Sequence, residues 1–209
     1  HKWTPRNGTT TTHADDQCCT QTYLLRYEQV GGDEKKKYVI ENFDKQMASG
    51  RVDYWTWIDA IQMAMPAYAE LYKITGERKY MDYAMKLYEW SRNTCGGGLY
   101  NAKDGLWWRD ADFVPPYKEK DGNDCYWSRG NGWVYIALCR VMDQLSPKDK
   151  YYKQLKKDFI AMSKALLKCQ REDGFWNVSP ESPTTYGGKE VTGTALFLGG
   201  MSWGIRHGY

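Results

Sequence analysis

Ile58-Asp59-Ala60-Ile61-Gln62-Met63-Ala64-Met65-Pro66-Ala67-Tyr68-Ala69-Glu70-Leu71-Tyr72-Lys73-Ile74-Thr75-Gly76-Glu77-Arg78-Lys79-Tyr80 decides the fold. Ile58, Ile61, Met65, Tyr68 and Tyr72 fall on one helical stripe, and Gly76 follows as a stop signal. A second helix opens at once, with Tyr80, Ala84, Leu87 and Trp90 at helical spacing over residues 77–92. The unit is a helical hairpin, and it recurs. Gly76 through Tyr80 leads to Asp104-Gly105-Leu106-Trp107, while Pro147 through Tyr151 leads to Asp173-Gly174-Phe175-Trp176, 69 residues further on from Asp104 to Asp173. A repeat of that length holds a helix pair and a sizeable loop, which predicts hairpins arranged around a ring rather than a tight solenoid.

Working outward, the same periodicity predicts helices over 16–29, 33–47, 58–74, 77–92, 130–145, 148–169 and 191–205, seven in all, with no alternating strand pattern. Pro66 conflicts with the third of these, since an internal proline removes a backbone donor and costs roughly 3 kcal/mol. A kink is expected there, with Asp59 in the first turn beside Tyr54, Trp55 and Trp57. Seven helices would not close a ring of hairpins, so the chain reads as a portion of one.

Composition removes several classes of function. The 209 residues carry 29 Lys+Arg against 26 Asp+Glu, a formal charge of +3, with both signs scattered. Neither a basic stripe for nucleic acid nor a polybasic membrane patch results. The longest apolar runs, such as 195–201, are too short to insert across a bilayer, and His1 to Arg6 contain neither an initiator Met nor an apolar signal core. The chain is therefore expected to start within a longer protein or after processing. Six cysteines without a C-x-x-C pair and three histidines, at 1, 13 and 207, give no zinc site; no metal and no cofactor are expected. Aromatic residues make up 15% of the chain. Such rings fill cores, and they also stack on the C–H faces of sugars; composition leaves both open.

Gly200-Met201-Ser202-Trp203-Gly204 matches the nucleophile elbow G-x-S-x-G, but it lies in a helical setting and no carboxylate follows it before the end of the chain. Gly130-Asn131-Gly132 lacks the third glycine of a dinucleotide turn. Carboxylates remain as the acid/base groups. Asp15 and Asp16, in His13-Ala14-Asp15-Asp16-Gln17, open a helix, where they either cap free N–H groups or act chemically. Asp59 lies among indoles, whose apolar surroundings would raise its pKa toward that of a general acid; stabilisation by the helix dipole is the competing reading. Tyr126-Trp127-Ser128-Arg129-Gly130-Asn131-Gly132-Trp133 reads either as a clamp for an acidic sugar or as a helix start with core Trp and an ion-paired Arg.

With these segments the chain resembles glycoside hydrolase family 105, the unsaturated rhamnogalacturonyl hydrolases, and more distantly the unsaturated glucuronyl hydrolases of family 88. The resemblance runs through His13 to Gln17 with Gln21-Thr22-Tyr23, Ile58 to Pro66, Leu106-Trp107-Trp108-Arg109-Asp110, Tyr126 to Trp133, Gln170 to Trp176, and Glu190-Val191-Thr192-Gly193-Thr194-Ala195 into Trp203-Gly204-Ile205, in the family's order. It implies an all-α fold, an (α/α)6 barrel of helical hairpins, here one domain over residues 1–209 with helices missing from both ends of the ring. It implies a glycosidase that removes the C4=C5-unsaturated uronic acid from the non-reducing end of lyase-generated oligosaccharides, foremost unsaturated rhamnogalacturonan disaccharides. Proton transfer to C4 and hydration at C5 replace attack at the anomeric carbon, so the carboxylate-separation rule of ordinary glycosidases does not apply. Asp59 matches the general acid/base, and Asp15 or Asp16 the second carboxylate. Trp127, Arg129 and Trp133 match a substrate-contacting pattern, joined by His13 and Trp57. Arg109 stands where some members have His, and supplies a further cation. The expected partner is thus an unsaturated uronic-acid oligosaccharide, in the periplasm or cytoplasm of a bacterium. A lyase or inverting glucosidase on the same barrel, and a non-catalytic sugar-binding helical module, are the alternatives.

Overall fold

A computed structural model describes residues 3–209. Its helices are α1 (Ala14–Gln17), α2 (Cys19–Val30), α3 (Glu34–Ala48), α4 (Asp59–Thr75), α5 (Arg78–Asn93), α6 (Ser128–Met142), α7 (Lys150–Lys168) and α8 (Val191–Arg206). Helices α2, α4, α6 and α8 pack side by side, and α3, α5 and α7 lie against α2, α4 and α6 respectively. This is a two-layer arc of helical hairpins. The layers are visible in burial: α4 is buried nearly all round, whereas α5 and α7 bury one stripe each. Gly76 ends α4 in the left-handed region, at φ 72°, and its N–H donates to the Tyr72 carbonyl at 2.8 Å.

Two expectations need correction. The helix expected over 16–29 is two, because the junction at Cys18 tightens to i→i+3 bonds and the Thr20 hydroxyl occupies the Gln17 carbonyl at 2.6 Å. A two-stranded antiparallel ribbon, β1 (Tyr100–Asn101) and β2 (Leu106–Trp107), pairs Tyr100 with Trp107 around a turn at Gly105. Strands of two residues are too short to display alternation. α4 continues through Pro66 as one helix. The carbonyls near the missing donor are met from outside, since the Gln21 side-chain amide donates to the carbonyls of Gln62 at 2.7 Å and Met63 at 2.8 Å. The Gln21 carbonyl in turn accepts from Arg140 of α6. Stranding the Gln62 carbonyl, whose helical donor Pro66 removes, costs about 2 kcal/mol, so Gln21→Ala should lower the unfolding free energy by that amount, read from urea titration.

The Gly130-Asn131-Gly132 segment is a packing device. A Cβ on Gly130 would lie 2.8 Å from Ile58, just before α4, and one on Gly132 would lie 2.9 Å from Leu196 of α8. Glycine is what lets α6 pass between its neighbours. Asn131 ties β2 to α6, accepting from the Trp107 N–H and donating to the Trp107 carbonyl, both at 2.9 Å.

Candidate active site

The helix order places the N-termini of α1, α4, α6 and α8 at one end of the arc, roofed by the long loops before α6 and α8. Helix N-termini present unpaired N–H groups and a partial positive charge, a favourable setting for an anion. A cavity of about 530 Å³ opens there, within the range of small-molecule sites. A second space of about 540 Å³ adjoins it, with Trp57 and Arg109 on the border of both.

Asp59, Trp127 and Arg129 line the first space, and His13 and Asp15 the second. Asp59 is the first residue of α4 and is half-buried. Burial raises its pKa, its own N–H opposes this, the nearby Asp15 charge raises it again, and Arg109 and Arg129 pull it down; the net shift is upward. Of the two indoles expected to set this environment, Trp57 reaches the cavity, whereas Trp55 is fully buried and packs toward Tyr68. The entrance to α4 is fixed by the Ile58 N–H, which donates to the Arg109 carbonyl at 2.9 Å. Arg109 itself pairs with Asp110 at 2.8 Å.

Arg129 is exposed, makes no ion pair among the described residues, and lies 4.3 Å over the Trp127 ring. That answers the alternative of a core Trp beside an ion-paired Arg: both groups face the cavity. His13 caps α1, accepting from the Asp15 N–H at 3.3 Å, and its ring lies 4.9 Å from that of Trp57.

Two expected site residues stand elsewhere. Asp16 lines neither space, because its carboxylate is buried in the N-terminal loop, accepting from Asn7 at 3.0 Å and from Thr11 at 2.7 Å. Burial alone would raise its pKa, but these hydrogen bonds and the charges of His13 and Arg6 hold it below the usual aspartate value. Trp133 sits a turn deeper on α6, half-buried, and does not line the cavity. Conversely, Phe113, Tyr117, Glu119, Ser179 and Tyr186 line it unannounced. All five come from loops, where no periodicity marks an inward residue.

The described residues contain no group of three or more His, Cys, Asp or Glu side chains placed to hold a metal ion, and no helix long and apolar enough to cross a membrane. All six cysteines are free.

Comparison with known proteins agrees with this geometry. The Unsaturated 3S-rhamnoglycuronyl hydrolase of Alteromonas sp. (strain LOR) is 31% identical over 222 residues, covering 94% of this chain and 52% of its own length. The chain thus spans about half the length of this curated relative. A solved structure named Glycosyl hydrolase family 88 from Bacteroides vulgatus superposes with a TM-score of 0.92 at 31% identity, over 99% of this chain and 63% of that one. Another, named Polysaccharide Lyase, superposes with a TM-score of 0.93 at 29% identity, over 100% and 62% of the two chains. A family 105 glycoside hydrolase from C. acetobutylicum ATCC 824 shares the fold, with a TM-score of 0.79 at 21% identity over 96% of this chain and 59% of that one. The all-α fold, a portion of the (α/α)6 barrel, is therefore as expected. The sequence model of Glycosyl Hydrolase Family 88 matches residues 1–209 without remainder, and with a carboxylate, two arginines and indole rings gathered at the helix N-termini, this chain belongs to that family.

Proposed function

We propose that the protein containing this chain is a glycosidase that removes a C4=C5-unsaturated uronic acid from the non-reducing end of lyase-generated oligosaccharides. The observation that carries the reading is Asp59: a half-buried carboxyl whose pKa is raised, beside two guanidiniums in a ring-lined cavity. The proposed assignment gives each group one task. Arg129 and Arg109 hold the uronate, the first as a free fork and the second as a cation shared with Asp110. Trp127 and Trp57 offer faces to the sugar ring. Asp59 protonates C4, a step that requires an acid still carrying its proton near neutral pH. Water adds at C5, and the hemiketal opens to release the remaining sugar. Asp15 supports the acid by its charge. Asp16 holds the N-terminal loop behind Asp15 and takes no part in proton transfer.

The test follows the ultraviolet absorbance of the conjugated double bond, using the complete polypeptide with unsaturated disaccharides from pectic and glycosaminoglycan sources. Decay on one class establishes the chemistry and the sugar together. Absence of decay on all of them, with folded protein, would remove this reading in favour of a lyase or a binding module.

The pH dependence has a definite sign. Because Asp59 must be protonated, kcat/KM should fall as pH rises through its elevated pKa. Removing a negative neighbour lowers that pKa, so Asp15→Asn should move the alkaline limb to lower pH. A limb that stays in place, or moves up, contradicts the assigned coupling.

A further inference from the structure

Glu119 is 5% exposed, and its carboxylate oxygens meet no N–H or O–H donor among the described residues. Ser179 is 2% exposed, and its hydroxyl has no hydrogen-bond partner among them. Both line the cavity that holds Asp59. Buried polar groups are as a rule paired, so a carboxylate without an N–H or O–H donor and an unpaired hydroxyl on one cavity wall point to partners that a ligand brings. The carboxylate's neighbour is the thiol of Cys125, a weak donor in hydrogen-bond contact with it, pushed up to about 12 by burial and then by this bond.

Slack backbone does not account for the carboxylate's lack of an N–H or O–H donor. The Glu119 N–H donates to the Asn123 carbonyl at 2.8 Å, and the Gly122 N–H donates back to the Glu119 carbonyl at 2.9 Å. Asn123 donates to the Glu181 carbonyl at 2.8 Å, while Ser182 and Thr184 each donate to Asp121 at 2.9 Å. The loop carrying Glu119 is thereby clasped to the loop carrying Ser179 and Tyr186. Tyr117 and Tyr186 are 39% and 50% exposed and line the same space.

We propose that Glu119 and Ser179, with the rings of Tyr117 and Tyr186, form the subsite for the sugar on the leaving side of the scissile bond, and that this sugar is uncharged with free hydroxyls. The proposal rests on the uronyl-hydrolase reading above. The uronate is drawn to the arginines flanking Asp59, and its own negative charge excludes it from a wall built on a carboxylate. What a carboxylate accepts from is an O–H donor, and sugar hydroxyls are such donors. A hydroxyl donating to a buried carboxylate is a charge-assisted bond, whereas a sulfate ester at that position would set two like charges together in a poorly solvated place.

The experiment compares two substrates, an unsaturated uronyl-rhamnose disaccharide with the rhamnose hydroxyls free and the same compound 3-O-sulfated, using the complete polypeptide and its Glu119→Gln variant. The wild type should prefer the unsulfated disaccharide by about tenfold in kcat/KM, the size expected of one like-charge conflict. Glu119→Gln should raise KM for the unsulfated substrate by about tenfold, leave kcat within about twofold, and narrow the preference, since one charge-assisted hydrogen bond is lost. An unchanged KM, with or without a fall in melting temperature, overturns the proposal, because a merely structural carboxylate behaves that way. A drop in kcat at constant KM overturns it too, since Glu119 would then act on the chemistry. If the variant does not fold, the wild-type comparison decides alone, and a preference for the sulfated disaccharide overturns the proposal. Loss of both readings is separately recognisable, as a wild type that bleaches neither chromophore.

Discussion

Asp59→Asn should reduce kcat by roughly 10²–10⁴-fold, the contribution of a positioned general acid, while the disaccharide still binds with near wild-type affinity. The substitution preserves shape and removes only the transferable proton. The α4 entrance does not rest on the carboxylate: among the described residues it accepts a hydrogen bond only from its own N–H, and the entrance is held by the Ile58 to Arg109 backbone bond. Chromophore decay measures the first quantity, and calorimetric titration of the inactive variant with intact substrate measures the second. Retention of more than about a tenth of wild-type turnover would place the acid elsewhere, because losses of that size lie below what general acids contribute. If binding is lost along with turnover, the carboxylate holds the sugar rather than protonating it.

The largest effect on stability is expected at Asp158, on α7. Its carboxylate is 1% exposed and accepts from Arg92 at 3.0 and 2.9 Å and from the Tyr88 hydroxyl at 2.9 Å, both on α5. This is the buried polar tie between two outer helices, which are also joined near the start of α7 by Tyr151 and Lys150 to Asp82 of α5. Asp158→Ala strands a largely buried guanidinium and a fully buried phenol, and should cost about 3–5 kcal/mol. The penalty belongs to the abandoned partners rather than to the pair. The triple replacement Arg92→Met, Tyr88→Phe, Asp158→Leu should therefore recover most of the loss in a urea titration. A single variant that loses less than about 1 kcal/mol would show that water reaches the cluster, as for an exposed ion pair. Because the adjacent Ser91 hydroxyl donates to the Trp55 carbonyl at 2.5 Å, loosening α5 should also disturb the approach to Asp59.

What the sequence discloses depends on whether a residue sits in a periodic element. The stripe from Ile58 to Tyr72 and the stop at Gly76 give α4 to within a residue at each end, and with them the place of Asp59. Neighbouring positions are about 100° apart on a helix, so one of Asp15 and Asp16 had to turn away from the cleft. Which one did so was fixed by Asn7 and Thr11, in a loop with no pattern to read. Trp133 was misplaced for a related reason: it shares a side of α6 with Arg129, but depth along the helix separates it from the cavity. Glu119 was hidden more completely. Tyr117-Lys118-Glu119-Lys120-Asp121 reads as a solvated charge run, and its middle residue is buried because the clasp to residues 181–184 turns it inward.

The link from Gln21 to α4 and α6 also bears on the order in which the chain acquires its structure. Gln21 completes its contacts only when the carbonyls of Gln62 and Met63 and the guanidinium of Arg140 are all in place, and Arg140 is 119 residues away along the chain. Contacts of such separation close late, since the loop entropy must be met first. On a ribosome, the first hairpin would be made long before its last partner, and would wait with one side of its amide unanswered until the 119 residues that separate Gln21 from Arg140 had followed. The hairpin of α2 and α3 is thus translated before α6 yet finished together with it, so its slow steps should be sought in association with the third hairpin rather than within the first.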